Sequence, residues 1–262
     1  MAEQQIRFDD GAAYERMMGQ WSRIAGDIFL DWVGPAPGLR WVDVGCGNGA
    51  FTELLVGRCD PSEVDGLDPS QEQIAFAQER PCASLARFRQ GDAMNMPYAD
   101  ATFDAAIMAL VIFFVPQPAK GVSEMCRVVK PGGVVAAYAW NVLAGMNPGA
   151  EFREELAELG IPTPLPPSAE ASRLDTMGKL WAEAGLVEVE TREITVKRTF
   201  ADFDDVWEIT KLLPTLAPAI AAMAPNKVEV LRQRLEARLP PQADGTVTCS
   251  ASANAVKGKV AS

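Results

Sequence analysis

The sequence predicts an α/β fold: a seven-stranded, mostly parallel sheet with flanking helices, an N-terminal helical cap and helical insertions late in the chain. Three observations carry that prediction. Between Trp41 and Tyr138, short β-rich runs alternate with segments of helical period, the pattern of βαβ units. A glycine-rich bend, VDVGCGNG at Val42–Gly49, follows the first of those runs directly and opens a helix. The final run, Thr246–Val256, alternates strictly, with Val247, Cys249, Ala251, Ala253 and Ala255 on one side and polar residues on the other.

Taken in order, residues 1–34 read as the helical cap and 35–141 as the core. Its strands are expected at Trp41–Val44, Glu63–Leu67, Ala86–Gln90, Phe103–Met108 and Val134–Tyr138. Phe51, Leu54 and Leu55 share one face of the helix after the glycine bend. Ser70 with Gln73 reads as a capping box that opens the next helix. Val122, Met125, Cys126 and Val129 follow helical spacing, and Pro131, Gly132 and Gly133 then stop that helix. Residues 142–173 and 199–244 read as insertions. The first has an amphipathic stretch (Phe152, Leu156, Leu159) and a proline-rich run, and the second places Phe203, Val206, Trp207 and Thr210 on one face. Residues 174–198 and 245–260 supply the remaining elements: a helix through Leu174, Met177, Trp181 and Ala184 ended by Gly185, a strand near Val187–Val196, and the final strand. All 262 residues are expected to form a single domain.

Composition narrows the function. No run of about 18 apolar residues exists, so no membrane span is expected. The N-terminal stretch has no basic segment followed by an apolar one, so a secretory leader is not expected. Five cysteines without a CxxC pair argue against a disulfide framework and a zinc site; a reducing cytoplasm is expected, and no metal. The net charge of −11 repels nucleic-acid phosphates, which favours a small-molecule partner. There is no histidine, so any mechanism must work without imidazole. A monomer and a homodimer both fit.

The bend carries the chemistry. Gly45, Gly47 and Gly49 permit a tight turn and a close backbone approach to a ligand. The helix N-terminus behind them favours a carboxylate or phosphate. Asp43 can hold the turn or reach a ligand amine. In a Rossmann-like unit an acid about 20 residues further on takes ribose hydroxyls, and Asp68 stands there; its acceptor-only carboxylate suits a diol. Gly45, Gly47 and Ala50 also satisfy the dinucleotide pattern, so an NAD-dependent oxidoreductase is a competing reading, as is a cofactor-binding regulatory protein without transfer activity.

Three further stretches separate these readings: GDAMNMPYADATFDAAI (Gly91–Ile107), ALVIFFVPQP (Ala109–Pro118) and RVVKPGG (Arg127–Gly133). With VDVGCGNG and GLDPS, in this order, they resemble the class I methyltransferases of the type 11 group, which includes the ubiquinone/menaquinone-biosynthesis methyltransferases. The resemblance implies S-adenosyl-L-methionine as cofactor, S-adenosyl-L-homocysteine as product, and methyl transfer to a small aromatic or lipophilic acceptor. It implies that Gly45, Cys46, Gly47 and Gly49 cradle the methionine part, that Asp68 binds the ribose and that Pro69 packs beside the adenine. Asp92 and Ala93 would meet the adenine edge, and Met108 and Ala109 would line the sulfonium. The stretch YERMMGQWS resembles the group's capping helix, making Tyr14, Trp21 and Ser22 candidate contacts. Phe113, Phe114, Trp140 and Asn141 are expected to face the acceptor. Many relatives carry a histidine where this chain has Ile112–Phe114, so no histidine base transfers to it.

Overall fold

Burial explains the order of the sheet. Strand β1 (Arg40–Val44) is buried from Trp41 onward and pairs in parallel on both sides, with β2 (Glu63–Asp68) and with β4 (Phe103–Ala109). A strand covered on both faces needs a largely apolar run, which Trp41, Val42 and Val44 supply around the buried Asp43. In this computed structural model, which describes residues 18–213 and 215–262, β3 (Ala86–Gln90), β5 (Val129–Trp140), β6 (Leu186–Phe200) and β7 (Val247–Val260) complete the order β3-β2-β1-β4-β5-β7-β6. Only β7 runs against the rest, pairing antiparallel with β5 and β6.

The order reverses at β1, where the chain goes first outward through β2 and β3 and then back to β4 on the opposite side. Such a switch point opens a crevice at the carboxyl ends of the central strands, where ligands of open α/β sheets bind.

Helix α1 (Gln20–Val33) packs over this region through Trp21, Ala25, Phe29 and Val33, and ends at Gly34, whose φ of 63° a side chain would resist. Phe29 lies 4.7 Å from the ring of Tyr138 in β5 and 6.4 Å from that of Phe51 in α2 (Ala50–Cys59). Helix α3 (Gln71–Gln78) starts as expected from its capping residues: the Ser70 hydroxyl accepts from the Gln73 N–H at 3.3 Å.

Two expectations need correction. The helix α4 (Pro118–Val128) ends one residue before Val129, which begins β5. Pro131, Gly132 and Gly133 therefore lie inside β5 at an irregularity, where Phe103 pairs with Val129 but Ala105 with Val134. Gly132 has φ 77°, and a Cβ on Gly133 would lie 2.6 Å from the Asp104 carbonyl oxygen, so glycines are what this bulge requires. The β6–β7 pair is also longer than its patterns suggest, running from Leu186↔Val260 to Phe200↔Val247.

The insertions carry α5 (Ala150–Glu158) after β5, and α7 (Phe203–Thr210), α8 (Ala217–Ala221) and α9 (Pro225–Arg238) after β6. Between them α6 (Leu174–Glu183) docks on the sheet through Trp181, which is wholly buried and donates its indole N–H to the Val135 carbonyl at 2.8 Å.

Candidate functional site

The bend after β1 is built from three left-handed glycines: Gly45 (φ 77°), Gly47 (φ 51°) and Gly49 (φ 80°). Gly45 and Cys46 donate their backbone N–H groups to the Leu67 carbonyl, at 2.6 and 3.0 Å, which ties the bend to the end of β2. Asp68, one residue on, spans the crevice. Its carboxylate accepts from the Gly47 N–H and the Ser70 N–H, both at 2.9 Å. Burial raises its pKa, against the lowering effect of those two donors. Four lone-pair sites serve two backbone donors, so both oxygens retain capacity for ligand hydroxyls.

Asp43 lies beneath the bend with no exposed surface. One oxygen accepts from the Thr52 hydroxyl at 2.6 Å, which links β1 to α2, while Oδ1 is buried without a hydrogen-bond partner among the described residues. Desolvation pushes its pKa up to about 7; the Thr52 hydroxyl opposes the shift and the Asp68 charge adds to it. A buried, half-satisfied carboxylate under a glycine bend suits a cationic or strongly donating ligand group.

The other candidate residues fall into distinct places. Asp92 is exposed just beyond β3, whose Gln90 pairs with Asp68; its carboxylate accepts from the Met94 N–H at 2.8 Å. The backbone of Asp68 also holds Gly91, whose N–H meets its carbonyl at 3.0 Å, so Asp68 and Asp92–Ala93 stand at one edge. Pro69 is exposed beside them, its carbonyl bonded by Gln90 at 2.8 Å. Ala109 ends β4 next to the bend. Met108 is fully buried, with its methyl 3.3 Å from where a Cβ of Gly121 would stand in α4, so its side chain packs into the core.

Trp21 is packed among rings, edge-on to Trp140 at 6.5 Å and tilted on Phe200 at 6.4 Å. Ser22 lines a small cavity of about 240 Å³ with Gly19, Ala50 and Phe51; its hydroxyl is buried without a hydrogen-bond partner among the described residues. Tyr14 lies outside the described residues. Phe113 and Phe114 pack edge to face at 4.6 Å, and Ser168 from the first insertion fastens the segment by donating to the Phe113 and Val115 carbonyls, at 2.9 and 2.7 Å. Asn141 is held by its backbone N–H, which meets the Ser252 carbonyl at 2.9 Å. Phe113 and Phe114 are thus brought together, while Trp140 pairs with Trp21 instead.

Two residues escaped sequence reasoning. Val111 follows Leu110, a left-handed residue with φ 64°, and its methyls lie 2.5 Å from where a Cβ of Gly45 would stand. Arg80 reaches back to the bend, donating to the Asn48 carbonyl at 2.5 Å and to Glu53 at 2.7 Å. Neither has a local signal, since each contact depends on how the strands and helices meet.

The strand order with its antiparallel β7, the glycine bend and the acid at the end of β2 define the class: a Rossmann-like methyltransferase fold. Residues 42–137 match the family model described as a methyltransferase domain. Over 106 residues it is 42% identical to a demethylmenaquinone methyltransferase from Desulfitobacterium hafniense (strain Y51), covering 38% of this chain and 42% of that protein. Over 96 residues it is 40% identical to 2-methyl-6-phytyl-1,4-hydroquinone methyltransferase 2, chloroplastic, from Oryza sativa subsp. japonica, covering 37% and 28% of the two chains. The chain thus spans less than half the length of these relatives. Among solved structures it is similar to phosphoethanolamine N-methyltransferase 2 of Haemonchus contortus in complex with S-adenosyl-L-methionine (TM-score 0.60, 19% identity, 97% of this chain and 58% of that one). The YcgJ protein of Bacillus subtilis is similar across 91% of this chain and 99% of its own (TM-score 0.57, 15% identity). At these identities the structural likeness speaks for the fold.

Proposed function

We propose that this protein transfers a methyl group from S-adenosyl-L-methionine to a small aromatic or lipophilic acceptor. The observation that carries the reading is the Asp68 carboxylate bound across the Gly45–Gly49 bend at the switch point of the sheet. The residues present fit the cofactor. Gly47 is open, with only the Gln73 amide oxygen 4.0 Å from a would-be Cβ, and the unpaired Asp43 oxygen offers a negative pole beneath the bend. In this reading Gly45, Cys46, Gly47 and Gly49 hold the methionine part, Asp68 the ribose, and Pro69 with Asp92 and Ala93 the adenine. Ala109 and the Met108 backbone border the sulfonium end, with Val111 closing over Gly45.

The bound sulfonium supplies an electrophilic methyl group. What the chain must add is alignment and exclusion of water. Proximity and orientation are worth as much as ~7–11 kcal/mol, whereas a general base adds ~10²–10⁴-fold, so the absence of histidine is no obstacle. The names of the relatives, which methylate demethylmenaquinone and a phytyl hydroquinone, favour a quinol-like acceptor. Five free thiols suit a reducing, cytoplasmic setting.

Calorimetric titration with S-adenosyl-L-homocysteine, followed by a labelled-methyl assay over phenols, quinols and thiols, tests the proposal. Binding with transfer to at least one phenol or quinol is expected. Binding without transfer to any acceptor would favour a regulatory cofactor-binding protein.

A further inference from the structure

The loop after β4 holds a conformation that its own sequence does not favour. Leu110 is left-handed, with φ 64°, which a residue other than glycine keeps only where its surroundings fix it. Its neighbour Val111 presses on the bend at Gly45. A single 3₁₀ turn, Ile112–Phe114, follows, and the carbonyls of Phe113 and Val115 are both met by one residue of the first insertion.

That residue is the half-buried Ser168, which gives its backbone N–H to the Phe113 carbonyl and its hydroxyl to the Val115 carbonyl. It ends a strap, residues 161–168, with prolines at 162, 164, 166 and 167. Prolines restrict the backbone, so the strap has little freedom to lose when it is laid across the molecule. It is fastened on both sides of that contact. Arg153 of α5 donates to the Thr163 hydroxyl at 2.5 Å and the Pro164 carbonyl at 3.1 Å. Asn254 of β7, itself buried, donates its side-chain amide to the Ser172 carbonyl at 2.8 Å. Between these anchors Ser168 is a fixed point, and the loop is held against it.

We propose that Ser168 is a positioning residue for the cofactor crevice: through the Val115 carbonyl it holds the loop after β4 so that Val111 stays seated on the glycine bend. The inference rests on the cofactor reading above and adds to it a residue 53 positions beyond the carbonyl it holds. No hydrogen bond joins Ser168 to the bend among the described residues, so it acts through the loop. Without its hydroxyl the Val115 carbonyl loses a donor, and the left-handed Leu110 loses part of what holds it. Ser172 provides an internal comparison. Its hydroxyl also donates to a backbone carbonyl of the same segment, that of Ala169 at 2.7 Å, but not to the loop. Each serine thus contributes one bond of the same kind, and only that of Ser168 leads to the bend.

The test titrates the full chain with S-adenosyl-L-homocysteine by calorimetry and follows amide hydrogen exchange of the segment 110–115 in the free protein. Ser168→Ala should weaken binding by about 2- to 10-fold, the range for one net hydrogen bond, and should speed exchange in that segment. Ser168→Thr, which keeps the hydroxyl, and Ser172→Ala should behave as the wild type in both measurements. Val111→Ala should weaken binding by itself, and adding Ser168→Ala to it should change little further, because the contact through which the hydroxyl acts is gone. Wild-type affinity or wild-type exchange in Ser168→Ala, an equal loss in Ser172→Ala, no rescue by threonine, or additive losses in the double variant would overturn the proposal. A wild type that gives no heat with S-adenosyl-L-homocysteine, while exchange responds to Ser168→Ala as expected, would instead defeat the cofactor reading.

Discussion

Two carboxylates face the candidate cofactor crevice, and they differ in a way that burial dictates. Asp68 is half-buried and held by two backbone donors; Asp43 is wholly buried and held by one hydroxyl. Removing the first should leave the ribose donors without an acceptor, so Asp68→Ala should weaken cofactor binding by about 1–3 kcal/mol, roughly 5- to 150-fold. Calorimetry with S-adenosyl-L-homocysteine reads this directly, and unchanged affinity would remove Asp68 from the site. Asp43 makes a different prediction. Its folded-state pKa of about 7 lies above the ordinary carboxylate value of 3.8, so between those pH values the folded protein retains a proton that the unfolded chain releases. Its contribution to stability is therefore full below about pH 4, falls as pH rises toward 7, and is absent above. Melting curves from pH 4.5 to 8 should show Asp43→Asn losing less stability with rising pH than the wild type. Both acids were legible in the sequence because each sits at a fixed place relative to a strand end. Val111 and Arg80 were not, since each meets the bend only through tertiary packing.

At the level of elements, the glycine bend and the loop after β4 are built against each other. A side chain at Gly45 would meet two difficulties: a φ of 77° and the Val111 methyls. Gly45→Ala should cost ~1–2 kcal/mol from the backbone alone, and overpacking against Val111 adds ~1–3 kcal/mol. Adding Val111→Ala should recover the packing part only, which urea denaturation of the single and double variants would measure; no recovery would show that Val111 does not crowd the bend. Helix α6 is anchored by Met177 and Trp181, both wholly buried. Trp181→Ala should destabilise by ~3–5 kcal/mol, because the ring is wholly buried and its N–H supports Val135 in the sheet. A melt within error of the wild type would contradict that anchoring. The strands of the core were legible because apolar runs of strand length alternate with helical spacing. The true extent of β5 was not, because Pro131–Gly133 carries the same local signal whether it ends a helix or bulges a strand.

Across the whole molecule, the sheet fixes the crevice and the insertions shape what lies beyond it. Helices α5 and α9 meet through Arg234 and Arg238, which pair with Glu154, Glu155 and Glu158. The two arginines, Glu154 and Glu158 are exposed while Glu155 is buried, so the outer pairs are worth ~0.2–1 kcal/mol each and weaken with salt, less than the apolar contacts of Phe152, Leu156 and Trp207 beneath them. Arg238→Ala should therefore leave the melting temperature almost unchanged. The sequence announced seven strands and two insertions, but it could not place β7 between β5 and β6, since strand order depends on pairing at long range. The central claim is that the bend and Asp68 hold one adenosyl ligand. Titration of the folded wild type with S-adenosyl-L-homocysteine should give saturable heat at one site per chain, reduced in Asp68→Ala; no detectable binding in the wild type would contradict it.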